Sequence, residues 1–240
     1  MIRQKKAKNT RTDGRRFSDG HLTDRSVLQP ALEQVKAFAQ KCLDNAAGSH
    51  GWDHTLRVCR LCEMLGPAER TDMDVLRAAA YLHDIGRSEQ DAANGNICHA
   101  VKGAQMAKPI VDALPLSKRQ QQNIIHCIRT HRFRSDYQPA TIEAKVLFDA
   151  DKLDAIGAVG VARAFLFAGE LGARLHNPDI DAEKARPYSV DDTGYREFKV
   201  KLCKIKSQML TAAGRKWARS RHAYMQDFFN RFLAEYEGKR

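Results

Sequence analysis

Long apolar segments are absent from this 240-residue sequence. No run approaches the roughly 18 apolar residues that a membrane-spanning helix needs, so the sequence predicts no membrane span and no membrane partner. The first six residues include three with positive side chains, but no apolar stretch follows them, and a secretory signal peptide is therefore not expected. We expect a cytoplasmic protein.

A disulfide framework and a cysteine-based zinc site are also not indicated. Six cysteines are scattered along the chain, as is usual for free thiols of the cytosol. Cys59 and Cys62 form a CxxC pair, but no second pair completes a zinc site. Because this pair lies in an apolar-periodic run between Leu56 and Leu65, we interpret it as core packing.

Segments typical of β-structure are missing, since neither alternating β-branched residues nor hairpin turns occur. Apolar residues instead recur at three- and four-residue intervals from Val27 onward, which predicts an all-α protein. Helices are predicted at about 27–48, 52–65, 72–86, 98–113, 118–132, 140–156, 158–171, 193–212 and 214–237. Pro109 should bend its helix or lie near its end. Residues 172–193, rich in Gly, Pro and Asp, are predicted to form a long loop.

The net charge of +11 is unevenly distributed. Residues 1–26 carry eight Lys or Arg and three Asp, a net +5 that leaves +6 for the rest of the chain. Because this segment lacks apolar periodicity, we predict a basic flexible arm (1–26) in front of one domain (27–240). The arm could bind nucleic acid, but we do not favour this, since zinc-finger and RNP-type motifs are lacking. The positive charge of the domain suits a phosphorylated substrate.

The pair His83 and Asp84 follows a small apolar stretch, residues 78–82, and precedes Gly86. Neighbours on a regular helix diverge by about 100°, so both can reach one ion only at a helix end, and Gly86 supplies such an end. Burial of an ionised aspartate without a partner costs several kcal/mol. The pair therefore indicates a metal or another cation.

His54, the His83-Asp84 pair and Asp151 reproduce, in order and approximate spacing, the H…HD…D signature of the HD-domain superfamily. Flanking segments resemble that family too, and a chance match of four residues would not bring them. These segments are 53–58, 83–86, 143–145, 149–158 and, for one bacterial branch of single-domain predicted HD hydrolases, 211–222. The resemblance extends over nearly the whole predicted domain.

The resemblance implies an HD-domain helical bundle that hydrolyses a phosphate ester or anhydride. It also implies a divalent metal on His54, His83, Asp84 and Asp151, with Asp84 and His83 as catalytic residues. Two imidazoles and two carboxylates suit Mn, Fe, Co, Ni or Zn ions better than Mg, which prefers oxygen ligands and retained water. The implied substrate is a nucleotide, such as a nucleoside triphosphate that is cleaved with release of pyrophosphate.

Other polar residues are candidates for supporting such a site. His99, His131 and His126 could hold a second metal or the substrate phosphate, although His126 and His131 lie about 140° apart on a helix. The substrate-binding candidates are Arg132, Arg134, Lys152 and Arg163. Asp154 and His50 are candidates for orienting the implied ligands from behind.

Two alternatives to an enzyme stay open. The chain could be a nucleotide- or metal-sensing regulatory module without turnover, although the presence of all four implied ligands argues against lost catalysis. It could also be an accessory protein that binds nucleic acid through residues 1–26.

Overall fold

A computed structural model describes residues 25–44, 51–132 and 137–239. All regular structure in these ranges is helical, which confirms the all-α fold class. The helices are α1 (Arg25–Leu43), α2 (Trp52–Leu65), α3 (Met73–Leu82), α4 (Arg87–Ala92), α5 (His99–Asp112), α6 (Lys118–Thr130), α7 (Ile142–Asp154), α8 (Gly157–Glu170), α9 (Gly194–Val200) and α10 (Ala212–Tyr236). Short 3-10 helices occupy Pro67–Glu69 and Leu202–Gln208. None of the described helices has both the length and the apolarity needed to cross a membrane.

Helix α7 lies at the centre of the bundle. It packs against α2, α3 and α6 on one side and against α8 and α10 on the other. Its apolar residues are buried almost all round, and so are its carboxylates Asp149 and Asp154. A helix that is buried on every face carries no solvated side for charged residues, so each of its carboxylates needs a partner inside the protein.

Two local predictions differ from the structure. The single helix predicted at 193–212 is divided at Lys201, whose φ of −134° lies outside the helical region. Leu202 and Ile205 are buried three residues apart, which matches the three-residue turn of the 3-10 helix that follows. Helix α4 was not predicted, because its sequence contains no large apolar residue and none of its residues is buried. Pro109 lies in the last turn of α5, near its end as expected.

The segment 172–193 connects α8 to α9 and contains no helix, as predicted. Of the predicted arm, only Arg25 and Ser26 fall within the described residues, where they form the start of α1. All six cysteines are free. Burial raises the pKa of the Cys59 thiol to about 12, so it is protonated and unreactive at neutral pH, in keeping with a packing role for the CxxC pair.

One buried carboxylate anchors α10 to α7. Asp149 accepts hydrogen bonds from the backbone N–H groups of Leu210 and Thr211, each at 2.8 Å, and from the Thr211 hydroxyl at 2.7 Å. The same hydroxyl caps α10 by accepting from the N–H of Gly214 at 2.9 Å. A Cβ atom at position 214 would overlap the Asp149 carboxylate, so only glycine fits there.

Replacement of Gly214 by alanine should lower the free energy of unfolding by about 1–3 kcal/mol, because the added methyl group displaces the Asp149 carboxylate from its donors. Gly169→Ala is the matched control. Gly169 lies in α8 with no atom near its Cβ position, so alanine there should stabilise the helix by about 0.5–1 kcal/mol. Denaturant unfolding of both variants measures the difference. A Gly214→Ala variant as stable as the wild type would contradict this account of the anchor.

Candidate metal centre

Six side chains from separate elements converge in the interior of the bundle. His54 lies in the first turn of α2, His99 at the start of α5, and Asp151 in the last turn of α7. The others follow helix ends: His83 and Asp84 come directly after α3, and His131 directly after α6. All are buried except Asp151, whose side chain is 16% exposed. The helix end at His83-Asp84 matches the geometry that the sequence predicts.

Close backbone contact beside the His83-Asp84 pair brings α5 to the site. The Cβ position of Gly86 would overlap the carbonyl oxygen of His99 and the backbone of Gly103. A side chain at Gly86 would push α5 outward, and one at the facing Gly103 would make a tight contact of 3.3 Å with the backbone nitrogen of Gly86. The small residues therefore set the distance between Asp84 and His99, whose Oδ1 and Nε2 atoms lie 3.2 Å apart.

A first cluster is formed by His54, His83, Asp84 and Asp151. The Nε2 atom of His54 lies 3.3 Å from Nε2 of His83, 3.3 Å from Oδ1 of Asp151 and 3.7 Å from Oδ2 of Asp84. Ligands that each bind one ion at about 2.1 Å are separated from one another by roughly 3.0–3.5 Å. The donor atoms of His54, His83 and Asp151 thus lie close enough together to bind a single metal ion, and Oδ2 of Asp84 lies slightly farther away, 3.7 Å and 3.8 Å from the two Nε2 atoms.

Hydrogen bonds on the far side of each ring show why a cation fits this cluster. Nδ1 of His83 donates to the carbonyl of Ala80 at 2.8 Å, and Nδ1 of His54 contacts Asp154 at 2.8 Å. The tautomer that these contacts favour leaves Nε2 of both rings unprotonated, so two lone pairs and two carboxylates face each other. A divalent ion satisfies all four donors at once.

Protonation competes with metal binding at His54. Burial opposes the charged ring, but the hydrogen bonds that the ring donates to Asp151 and Asp154 outweigh it and raise the pKa of His54. A proton on Nε2 of His54 therefore takes the place of the cation when the cation is absent. Burial instead lowers the pKa of His83 to about 4, so this ring is neutral and able to ligate at physiological pH.

A second cluster shares the same aspartate. Oδ1 of Asp84 lies 3.2 Å from Nε2 of His99 and 3.4 Å from Nε2 of His131, and these two nitrogens are 3.3 Å apart. Nδ1 of His131 donates to the carbonyl of Ile128 at 2.7 Å, so its Nε2 is also unprotonated. Burial lowers the pKa of His99 to about 2. Asp84 thus directs Oδ1 to His99 and His131 and Oδ2 to His54 and His83.

Comparison with known proteins points to one family. The HD domain family model matches residues 51–156. The Bacillus subtilis protein YpgQ is 31% identical over 214 residues, which is 86% of this chain and 94% of that protein. The chain belongs to the HD domain family. The resemblance inferred from the H…HD…D signature is therefore confirmed, as is the HD-type helical bundle.

Solved structures extend this result. The crystal structure of Bacillus subtilis YpgQ in complex with ADP superposes with a TM-score of 0.65 at 28% identity, over 87% of this chain and 96% of that chain. An HD-superfamily hydrolase from Bacillus thuringiensis has a TM-score of 0.68 at 28% identity, over 87% and 98% of the two chains. Ribonuclease Y of Petrotoga mobilis is 25% identical over 129 residues, 54% of this chain but 23% of that protein.

Together with the family match, the likeness to HD-superfamily hydrolases shows that this HD protein is a metal-dependent phosphohydrolase.

Asp154 contacts the His54 ring on the side opposite the first cluster and fixes its orientation. Besides His54, its carboxylate accepts from Arg57 Nε at 2.7 Å and from Arg163 Nη1 at 2.7 Å. Burial opposes its ionisation, but the hydrogen bonds from His54 and Arg57 hold the pKa of this carboxyl well below its usual range. An ionised Asp154 keeps the proton of His54 on Nδ1, and Nε2 is thereby turned towards the cluster.

Three of the six side chains, His99, His131 and Asp151, line one end of a cavity of about 580 Å³, and the other three lie buried behind them. Cationic side chains surround this end, and those predicted from the sequence are Arg132, Lys152 and Arg163. Lys152 donates to Asp151 at 2.7 Å, and Arg132 donates to Gln90 at 3.0 Å. The charge distribution suits a substrate with several phosphate groups.

Sequence reasoning missed three further cations of the cavity: Arg87, Lys201 and Lys204. Arg87 donates to Asp84 at 3.2 Å. Burial opposes ionisation of Asp84, but Arg87 and His83 outweigh it and hold the pKa of Asp84 well below its usual range. The position of Arg87, three residues after Asp84, is a local signal that could have identified it. No local signal marks the two lysines, which come from the carboxy-terminal third of the chain.

Not every candidate lies at the centre. The structure places His126 outside it, where Nε2 of this ring accepts a hydrogen bond from the N–H of Ala140 at 3.0 Å and the side chain lines a separate surface groove. His126 and His131 thus face different directions, as their angular separation on the helix predicts. His50 and Arg134 lie outside the described residues.

Asp154→Asn should weaken binding of Mn²⁺ about 10–100-fold, because the uncharged amide no longer fixes the tautomer and orientation of His54. Titration calorimetry on metal-stripped protein measures this affinity. Asp74→Asn is the control, since Asp74 is partly exposed and its ion-pair partner is Arg77, far from the centre. An Asp154→Asn variant that binds Mn²⁺ as tightly as the wild type would refute the orienting role.

Proposed function

We propose that this HD enzyme hydrolyses nucleotides, and that a nucleoside triphosphate cleaved to a monophosphate and pyrophosphate is its main substrate. The observation that carries the proposal is the buried cluster of His54, His83, Asp84 and Asp151, which meets a cation-lined cavity through Asp151. The cavity volume of about 580 Å³ lies within the range usual for sites of drug-sized ligands. The relative YpgQ has been crystallised with ADP, which supports a nucleotide ligand.

The four residues of the first cluster would hold a divalent transition metal. When bound, such an ion supplies Lewis-acid activation of water and neutralises charge on phosphoryl oxygens. Imidazole nitrogens make up half of the donor set, which favours Mn, Fe, Co, Ni or Zn over Mg. Manganese is our first choice among these for reconstitution.

The protein's own residues position the substrate. Arg132 and Lys152 lie where the cavity meets the two clusters, and Arg87 lies beside Asp84. Guanidinium groups can hold phosphate oxygens in a bidentate arrangement, whereas an ammonium acts as a point charge. We therefore assign the arginines to fixing the orientation of the phosphate chain and Lys152 to neutralising it. Arg163 is engaged with Asp154 and acts on the centre through that carboxylate.

We further propose that Asp84, His99 and His131 hold a second ion. The donor atoms of this second cluster lie 3.2–3.4 Å apart, and two of its Nε2 atoms carry lone pairs in the favoured tautomers. A second ion held there would supply further neutralisation of charge on the phosphoryl oxygens. In the competing arrangement, His99 and His131 bind a substrate phosphate directly.

Metal-stripped enzyme should release pyrophosphate from nucleoside triphosphates only after Mn²⁺, Co²⁺, Ni²⁺ or Zn²⁺ is added back. Replacement of a residue that hydrogen-bonds a metal ligand usually lowers activity roughly 10–100-fold. Asp84→Asn should lower hydrolysis by more than this, because Asp84 contacts the histidines of both clusters. Asp112→Asn, an exposed aspartate paired with Lys108, is the control. Product analysis identifies the bond that is cleaved. If a short RNA is cleaved and nucleotides are not, or if metal binds without any turnover, the proposal is wrong.

Mass spectrometry of the native protein should find two Mn²⁺ ions per chain in the wild type and one in His99→Ala and His131→Ala, since each change removes a ligand of the second cluster only. His126→Ala, which alters a histidine of the same helical region outside the centre, should retain two ions. One ion in the wild type, together with a raised KM in the two variants, would favour direct phosphate binding instead.

A further inference from the structure

Tyr188 has an unusual backbone conformation in the loop between α8 and α9. Its φ angle is +56°, in the left-handed region that bulky residues rarely adopt. Its side chain is among the most exposed aromatic groups of the described residues, at 73%. Glycine would adopt this backbone conformation without strain, so the turn itself does not explain why a tyrosine stands at this position.

A buried ion pair holds the strained turn in place. Asp192, 4% exposed, accepts a hydrogen bond from the N–H of Tyr188 at 2.7 Å. Arg196 of α9 donates to Asp192 at 2.7 Å and to the carbonyl of Ala185 at 3.0 Å, so it ties both ends of the turn together. This clamp acts on the backbone only. Within the described part of the chain, the Tyr188 hydroxyl makes no hydrogen bond, and because the residue is 73% exposed its ring buries little area.

The ring of Tyr188 instead lines the cavity that contains the metal centre. Phe167 of α8 lies next to it, with ring centroids 6.1 Å apart and planes at 83°. Phe167 supports Tyr188 from one side and leaves most of the tyrosine ring uncovered. Strained backbone that is held in place by specific hydrogen bonds is often found at functional sites. At Tyr188, such a backbone places an aromatic ring at the cavity.

Helix α8 sets the distance between the metal centre and these rings. Gly160, Arg163, Ala164 and Phe167 line the cavity on one face of this helix. Arg163 contacts Asp154 at the metal end, and Phe167 is one turn further along, about 6 Å away along the axis. The cavity is therefore cationic and metal-binding at one end and aromatic at the other.

We propose that Tyr188, supported by Phe167, is the surface on which the base of the substrate stacks while the phosphates lie at the metal end. This inference rests on the proposed nucleotide hydrolysis and names the residue that recognises the base. Stacking on an aromatic ring tolerates any base, because every base has a π-face. The enzyme should therefore accept purine and pyrimidine nucleotides and discriminate mainly against phosphate chains that lack a base.

The test compares kcat/KM for ATP with kcat/KM for methyl triphosphate, which has the same phosphate chain but no base. In Tyr188→Ala, this ratio should fall about tenfold, mainly through KM for ATP, since loss of one aromatic stack weakens base binding on this scale. Tyr188→Phe keeps the ring and should keep the wild-type ratio. Val190→Ala, an exposed change in the same loop outside the cavity, should also leave it unchanged.

Tyr188→Gly separates recognition from structure. Glycine relieves the left-handed strain, so the melting temperature of this variant should equal or exceed that of the wild type, while its ATP-to-methyl-triphosphate ratio falls as in Tyr188→Ala. A wild-type ratio in the alanine and glycine variants, with ATP still hydrolysed, would overturn the stacking role alone. A wild-type enzyme that hydrolyses no nucleotide would overturn the proposed function and this inference together.

Discussion

Asp84 is an almost fully buried carboxylate whose two oxygens face two pairs of imidazole nitrogens. An ionised group in such a place is stable only when positive charge surrounds it, because burial removes its hydration. Arg87 supplies part of that charge, and the two histidine clusters create places for metal ions that supply more. The helix ends at residues 83 and 131 and the close approach of α5 at Gly86 bring the imidazoles to this carboxylate.

Residues around the metal centre also hold its histidines in position. Each histidine of the two clusters has its Nδ1 atom fixed by a neighbour: the carbonyls of Ala80 and Ile128, the carboxylate of Asp154, and the amide of Gln90. These contacts align four Nε2 atoms before any ion arrives. Preorganisation of this kind reduces the conformational entropy that is lost on binding, and it selects the neutral rings that a metal requires.

Features that depend on residues close together in the sequence could be predicted, and features that depend on tertiary packing could not. The all-α class follows from apolar spacing, and the four expected ligands follow from the resemblance of the motifs around His54, His83 and Asp151 to the HD-domain signature. His131 and His126 could be separated by their angle on one helix, although which of them faces the centre required the fold. Lys201, Lys204 and Tyr188 could not be predicted, because they reach the cavity through tertiary packing and their neighbours in sequence carry no motif. Helix α4 was missed because it contributes nothing to the core.

The Asp149 anchor has a consequence for the limits of the catalytic unit. Residues 51–156, the segment that the HD family model covers, contain all six side chains of the two clusters. Asp149 lies two residues before Asp151, and its three hydrogen-bond donors come from Leu210 and Thr211. A fragment truncated after residue 156 would lose all three donors and would expose the surface of α7 that α8 and α10 cover. We therefore expect the minimal autonomous unit of this enzyme to extend into α10, well beyond its ligand-bearing segment.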